Sequence, residues 1–159
     1  MTKFTLKAIT LADGSVENIV VSGGKIESIG SEIAGDEIDC SGLVGLPGFV
    51  DLHTHLREPG YEQSETILTG SRAAALGGYT AVHAMANTHP VQDTAGVVEQ
   101  VKTLGDEAGY VQVQPIGAVT VGLEGKQLAE LGAMADSKAQ VKVFSDDGKC
   151  VSDPLRSEE

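Results

Sequence analysis

Two histidines separated by one residue, His53 and His55, are the clearest candidates for chemistry in this sequence. In an extended segment, residues two apart point to the same side, so the two imidazoles project together. Imidazole is a common zinc ligand, and two on one side supply half of a tetrahedral site. The chain has only four histidines, and this pair follows an apolar run. The spacing therefore favours a metal site over two incidental surface histidines.

Arg57 lies two residues after this pair. Its guanidinium is a planar fork that pairs bidentately with a carboxylate, in a protein that is otherwise acidic. The alternative for Arg57 is a surface ion pair with Glu58 or Glu62. A bound anionic substrate would require such a local cation, because the formal net charge of the chain is −12.

Two later segments also place polar residues after a predicted strand. Asn87 precedes Thr88, although Asn-Thr before Pro is also ordinary turn chemistry. His89 is most simply a solvated loop residue, and we do not assign it to a metal. Asp146 and Asp147 precede a glycine, and two adjacent carboxylates there are either metal ligands or a loop cap.

The first part of the chain, over roughly residues 1–45, predicts a small antiparallel sheet. The sequences Asp13-Gly14 and Gly23-Gly24 are strong hairpin signals between short alternating segments. The predicted strands are residues 4–10, 16–21 and 25–29.

The pattern then changes to the alternation of strands and helices that is typical of a parallel α/β fold. The run GLVGLPGFVDL (42–52) has no polar alternation, which predicts a strand buried on both faces. We expect the division between the two parts near residue 46, giving domains 1–46 and 47–159. The other predicted strands are 79–85, 110–119 and 139–144, and the predicted helices are 64–76 with Ser64 as N-cap, 93–108 and 124–135; residues 151–159 resemble the start of a further helix.

Composition limits the classes of function. The chain is 41% hydrophobic and 21% charged, as is normal for a globular protein with a core. Its acidity argues against a nucleic-acid partner, and no apolar run is long enough to cross a membrane. Two cysteines, Cys40 and Cys150, are too few for a disulfide framework, so we expect a cytoplasmic location.

Three motifs together resemble the dihydroorotases of the amidohydrolase superfamily: PGFVDLHTHLREPG (47–60), Asn-Thr at 87–88, and FSDDG (144–148). The resemblance implies that His53 and His55 bind zinc and that Asp147 is a further ligand, with Asp146 as the fallback. It also implies that Arg57 and Asn87 bind a substrate carboxylate. Many members have Pro where this chain has Ala86, a departure at a neighbouring position.

The same superfamily offers a rival interpretation of the fourth strand. Hydantoinases and dihydropyrimidinases bridge two metal ions with a carboxylated lysine in a Lys-x-Phe context, which Lys142-Val143-Phe144 matches loosely. The Asp-Asp-Gly that follows, and the two carboxylate contacts, favour the dihydroorotases. A non-catalytic homologue bound to aspartate transcarbamoylase also stays open, as does an allantoinase.

The resemblance implies a (β/α)₈ TIM barrel, for which ~250 residues are needed. This chain has about four βα units, so an incomplete barrel is expected. Met1 looks like a natural start and Glu159 does not look like a natural end. The remaining metal-binding histidines and the aspartate that acts as general acid/base would lie beyond residue 159, and we expect residues 1–159 alone to be inactive.

The implied reaction is the reversible hydrolysis of dihydroorotate to N-carbamoyl-aspartate, the third step of pyrimidine synthesis. It would require one or two zinc ions per subunit, which make water a competent nucleophile near neutral pH. The expected partners are this small-molecule substrate, a second copy of the chain in a homo-oligomer, and aspartate transcarbamoylase.

Overall fold

The computed structural model describes residues 2–152. The chain forms two compact units, Met1–Pro47 and Gly48–Glu159. Residues 153–159 lie outside the described part, and so does most of the helix start predicted at 151–159. Within the described part, no helix is both long enough and apolar enough to cross a membrane.

The first unit is a four-stranded sheet in the order β3-β2-β1-β4. The three predicted strands are confirmed, and strands β1 to β3 pair antiparallel. The fourth strand was not predicted, and it pairs parallel to β1, so the sheet is mixed. The strands are β1 (Lys3–Thr10), β2 (Val16–Ser22), β3 (Lys25–Gly30) and β4 (Asp36–Asp39).

The second unit is a three-stranded parallel sheet in the order β5-β6-β7, with helices in the connections. The chain therefore has the α/β character that the sequence predicts for this part. The elements are β5 (Phe49–Thr54), α1 (Ile67–Leu76), β6 (Tyr79–Ala84), α2 (Ala95–Ala108), β7 (Gln112–Pro115) and α3 (Leu131–Asp136).

One face of this sheet packs against the helices. Val82, Ala84 and Val113 are buried in a core that also contains Ile67 of α1 and Val101 of α2. Because successive side chains of a strand alternate between faces, the residues between them point away from the helices. These residues are Ala81, His83, Gln112 and Gln114, and they line a cavity of about 340 Å³.

Helix α1 begins later than predicted. Its N-cap is Thr66, whose hydroxyl accepts a hydrogen bond from the backbone N–H of Thr69 at 3.1 Å. Glu58 also accepts a bond from the backbone N–H of Ile67 at 2.7 Å. Ser64 lies in the preceding turn, so the prediction of Ser64 as N-cap was wrong. The helix ends at Gly77, as the Gly-Gly pair indicates.

The apolar run 42–52 is not buried on both faces, contrary to prediction. Phe49, Val50 and Leu52 are 51%, 54% and 67% exposed. Strand β5 lies at the edge of the three-stranded sheet and pairs only with β6 within residues 2–152. An apolar run without polar alternation therefore does not show whether the strand is buried or solvent-exposed in this chain.

The predicted fourth strand, 139–144, is reduced to an isolated parallel bridge between Phe144 and Gly117. Gln140 has a φ of +48°, which takes the chain out of the extended conformation. The N–H of Val141 also turns back to the carbonyl of Met134. The prediction of four strands was therefore wrong for the described residues, although the chain at Phe144 still runs parallel to the segment just after β7.

The predicted helix 124–135 is also mostly absent. The chain forms a 3₁₀ turn at Val121–Leu123 and then α3, which begins at Leu131. Leu123 and Gly125 have φ values of +58° and +70°, which a right-handed helix excludes. The N–H of Gly125 instead donates to the hydroxyl of Thr120 at 2.9 Å.

Gly105 should be essential for the packing of α2 on the sheet. A Cβ at Gly105 would lie 2.5 Å from the Cβ of Val113, whereas one at Gly96 on the same helix would meet nothing within 4 Å. We predict that Gly105→Ala destabilises the complete protein by about 1–3 kcal/mol, because overpacking outweighs the gain in helix propensity. Gly96→Ala is the control and should leave the stability unchanged or raise it by up to ~1 kcal/mol. Denaturant unfolding measures both, and equal effects would contradict this account of the packing.

Candidate metal centre

The two histidines lie where β5 leaves the sheet. His53 is in the strand, and His55 follows its last residue, Thr54. The Thr54 hydroxyl donates to the carbonyl of His83 at 2.8 Å, and its carbonyl accepts from the N–H of Met85. The next residue, Leu56, is buried in the core beneath α1. The segment that carries the histidines is thus held on both sides.

His53, His55 and Asp147 form a compact cluster of ligand atoms. The Nε2 atoms of His53 and His55 lie 3.4 and 3.5 Å from Oδ2 of Asp147. One ligand atom from each residue lies within 4.8 Å of the others. The side chains of His55 and Asp147 are 29% and 26% exposed, so the cluster is partly shielded from water.

This geometry fits a zinc ion. Ligands at about 2.0–2.2 Å from a tetrahedral zinc lie roughly 3.3–3.6 Å from one another, which matches both histidine–carboxylate distances. Two imidazoles and one carboxylate are also a donor set that zinc accepts. The three residues could supply three of the four ligands of a tetrahedral zinc ion.

Asp146, next to this cluster, has a different role. It is buried, and its Oδ1 accepts hydrogen bonds from the backbone N–H groups of Val119 and Thr120 at 2.8 and 3.1 Å. Its Oδ2 accepts a third bond from the hydroxyl of Thr120. Both oxygens are therefore bound to the loop that follows β7, while Asp147 faces the histidines.

Arg57 follows the histidines on the same segment and has a φ of +61°, an uncommon conformation for a residue other than glycine. Its guanidinium makes no hydrogen bond or ion pair within residues 2–152. The two carboxylates proposed as ion-pair partners are engaged elsewhere. Glu58 binds the start of α1, and Glu62 accepts from the N–H of Gly60, which holds the pKa of Glu62 below its ordinary value.

Asn87 lies beside the cluster, on the loop after β6. Its Oδ1 is 3.0 Å from Nδ1 of His55. This loop contacts the loop that carries Arg57, because the N–H of His89 donates to the carbonyl of Pro59 at 2.9 Å. A Cβ at Gly60 would lie 2.2 Å from the carbonyl oxygen of His89, so only glycine allows this approach. The side chain of His89 itself is exposed and outside the cluster.

Lys142 is not part of the cluster of His53, His55 and Asp147. It is exposed and lines the cavity on the open face of the sheet together with His83 and Gln114. His53, His55 and Asp147 are not among the residues that line this cavity.

The sequence did not indicate two of these contacts. The family resemblance favours Asp147 over Asp146 as a ligand, but no local pattern predicts that Asp146 binds the loop after β7 while Asp147 faces the histidines. The contact between Asn87 and His55 spans 32 residues, and no local pattern predicts it. Gly60 could have indicated that the loop of Arg57 closely approaches the loop of His89, but a glycine after proline is equally typical of an ordinary turn.

Comparison with known proteins identifies close sequence relatives. Residues 42–157 match the family described as dihydro-orotase-like. A dihydroorotase of Leifsonia xyli is 66% identical over 96% of this chain, and one of Streptomyces coelicolor is 59% identical over 98%. One from Mycobacterium tuberculosis is 56% identical over 90%. The chain spans only 34–37% of the length of these relatives.

Solved structures with a similar fold are also available. An L-hydantoinase (dihydropyrimidinase) of Arthrobacter aurescens has a TM-score of 0.66 and is 26% identical over 77% of this chain and 29% of its own. A D-hydantoinase has a TM-score of 0.62 at 23% identity, over 75% of this chain and 28% of its own, a likeness that concerns the fold alone.

The two adjacent aspartates should respond differently to removal. We predict that Asp146→Ala destabilises the complete, metal-free protein by about 1.5–3 kcal/mol, because it leaves buried N–H groups without an acceptor. Asp147→Ala should change this stability by less than ~0.5 kcal/mol, since its carboxylate is partly exposed, but should lower the zinc content. Denaturant unfolding after treatment with a chelator measures the first effect, and elemental analysis measures the second. Full zinc content in Asp147→Ala would remove Asp147 from the ligand set.

Proposed function

Because this chain belongs to the dihydro-orotase-like family, we propose that the complete protein is a zinc-dependent dihydroorotase. It would interconvert dihydroorotate and N-carbamoyl-aspartate by hydrolysis and closure of a cyclic amide. The relatives that share 56–66% of the aligned residues carry the name dihydroorotase, which supports this reaction. The chain spans about a third of their length, so the activity is proposed for the complete protein.

The observation that carries the proposal is the convergence of three zinc-compatible donors, His53, His55 and Asp147. Arg57 follows two of them on the same segment, and its guanidinium has no partner among residues 2–152. A cluster of metal-binding side chains alone occurs in many kinds of hydrolase. The Arg57 guanidinium, which has no partner in the described part of the chain and lies on the same segment as two of the proposed ligands, adds a site for an anionic group. Dihydroorotate has both a cyclic amide for hydrolysis and a carboxylate for recognition.

We further propose that β5, β6 and β7 are the first strands of a (β/α)₈ barrel, with residues 1–46 as a separate small β domain and residues 47–159 in the barrel. The hydantoinase likeness supports the barrel, as does the position of the cluster at the carboxyl ends of parallel strands. In such barrels the active site lies at that end. The apolar side chains exposed on β5 would then pack in the barrel interior and against the outer helices.

In this proposal, His53, His55 and Asp147 hold the zinc ion. When bound, zinc supplies Lewis-acid polarisation of a carbonyl group and a water nucleophile that is available at neutral pH. Arg57 binds the substrate carboxylate through its two-pronged guanidinium, and Asn87 donates from its amide group. Together they orient the ring so that the scissile amide faces the ligand cluster, which lowers the entropic cost of the reaction. Asp146 holds the segment that carries Asp147.

A hydantoinase-type activity is the second candidate, because the hydantoinase of Arthrobacter aurescens is 26% identical over the region that aligns. That activity would assign a metal-bridging role to a carboxylated Lys142. The exposure of Lys142 in a cavity that excludes the three ligands argues against this assignment. Hydantoins also need not carry a carboxylate, which would leave Arg57 without the binding role proposed for it.

Arg57→Lys tests the proposed substrate contact in the complete protein. Lysine keeps the positive charge but loses the bidentate fork, so we predict that KM for dihydroorotate rises roughly tenfold to a hundredfold, from a loss of about 1.5–3 kcal/mol. Steady-state kinetics measures this change. The matched control is Arg72→Lys on the exposed surface of α1, which should leave KM unchanged. An unchanged KM in Arg57→Lys would refute the carboxylate site and favour the hydantoinase alternative.

A further inference from the structure

The contact between His55 and Asn87 determines which nitrogen of His55 is free to bind a metal. The carboxamide oxygen of Asn87 lies 3.0 Å from Nδ1 of His55. A carboxamide oxygen only accepts hydrogen bonds, so Nδ1 must carry the proton. In a neutral imidazole the other nitrogen, Nε2, then has its lone pair available. This is the nitrogen that lies 3.5 Å from Asp147.

His53 has no comparable support. Its backbone N–H donates to Asp51, but its Nδ1 has no hydrogen-bond partner within residues 2–152. Its side chain is 55% exposed, compared with 29% for His55. The structure thus fixes the tautomer and ring orientation of one histidine through a protein contact and leaves the other to solvent.

Several hydrogen bonds close the loop that holds Asn87. The N–H groups of Thr88 and Gln92 both donate to the carbonyl of Ala86, and the hydroxyl of Thr88 donates to the carbonyl of Pro90. Gln92 is fully buried, and its side-chain amide donates to the carbonyl of Met85 at 2.7 Å. The backbone on each side of Asn87 is therefore fixed, which sets the position of its oxygen relative to His55.

Unlike its oxygen, the amide nitrogen of Asn87 contacts no other side chain within residues 2–152 through a hydrogen bond. Within residues 2–152 its N–H groups make no hydrogen bond, so they stay available as donors. One side chain thus presents an acceptor to a metal ligand and a pair of donors to the neighbouring space. Aspartate in its place would keep the acceptor and lose the donors, whereas leucine would keep the volume and lose both.

We infer that Asn87 is a positioning residue for His55 and that it couples zinc binding to recognition of the substrate carboxylate. Its oxygen holds His55 in the tautomer that exposes Nε2, and its nitrogen donates to the carboxylate that Arg57 also binds. The first half rests on the geometry of His55, and the second half rests on the proposed function.

The experiment compares Asn87→Leu with Asn87→Asp in the complete protein. Zinc affinity is measured by competition with a chromophoric chelator, and KM for dihydroorotate is measured separately. Loss of a hydrogen bond to a ligating histidine weakens metal binding by about 10- to 100-fold, so Asn87→Leu should show this loss. Asn87→Asp should restore zinc affinity to within a few-fold of wild type. KM should rise roughly tenfold or more in Asn87→Asp, since a carboxylate there repels the substrate.

The control is His89→Ala, which removes an exposed ring from the same loop and should leave zinc affinity unchanged. Wild-type zinc affinity in Asn87→Leu, or equal losses in the leucine and aspartate variants, would overturn the role of Asn87 in positioning His55. Normal KM in Asn87→Asp would overturn the coupling to the carboxylate. If wild type does not act on dihydroorotate at all, the proposed function fails, while the zinc series still tests the positioning of His55.

Discussion

The buried carboxylate of Asp146 is the constraint on which the candidate metal centre depends. Burying a carboxylate is unfavourable unless hydrogen bonds replace its hydration, and here two backbone N–H groups and one hydroxyl do so. These bonds fix the chain at Asp146 to the loop after β7. The next residue, Asp147, therefore faces the histidines of β5, although more than 90 residues separate them in sequence.

The other half of the centre is positioned by the parallel pairing of β5 and β6. Parallel strands bring their carboxyl ends to the same edge of the sheet, so the residues that follow each strand become neighbours. Arg57 and Asn87 lie on the two loops that meet at Gly60 and His89. One edge of the sheet thus holds the cluster of His53, His55 and Asp147 together with the loops of Arg57 and Asn87. Among residues 2–152, the guanidinium of Arg57 and the amide N–H groups of Asn87 have no hydrogen-bond partner.

The sequence predicted this arrangement only in part, for physical reasons that differ between residues. The spacing of His53 and His55 is a local property, because strand alternation alone places two such side chains on one side. The distinct roles of Asp146 and Asp147 depend on contacts with Val119 and Thr120, which no local pattern reveals. The contact of Asn87 with His55 is equally non-local.

The errors in the predicted secondary structure also arise from non-local contacts. The segment 139–144 has the composition of a strand, but its conformation depends on Gln140 and on the bond between Val141 and Met134. The run that contains Phe49 and Leu52 is apolar, but burial depends on neighbours that residues 2–152 do not provide. Local propensity identified elements of each type, and tertiary contacts determined their length and exposure.

Anomalous diffraction at the zinc edge from crystals of the complete protein is the most direct test of the metal centre. The account predicts a peak about 2.0–2.2 Å from Nε2 of His53, Nε2 of His55 and a carboxylate oxygen of Asp147, with Asp146 still bound to Thr120. A zinc peak that Asp146 ligates while Asp147 faces solvent would contradict this account. So would a zinc site in which the two histidines take no part.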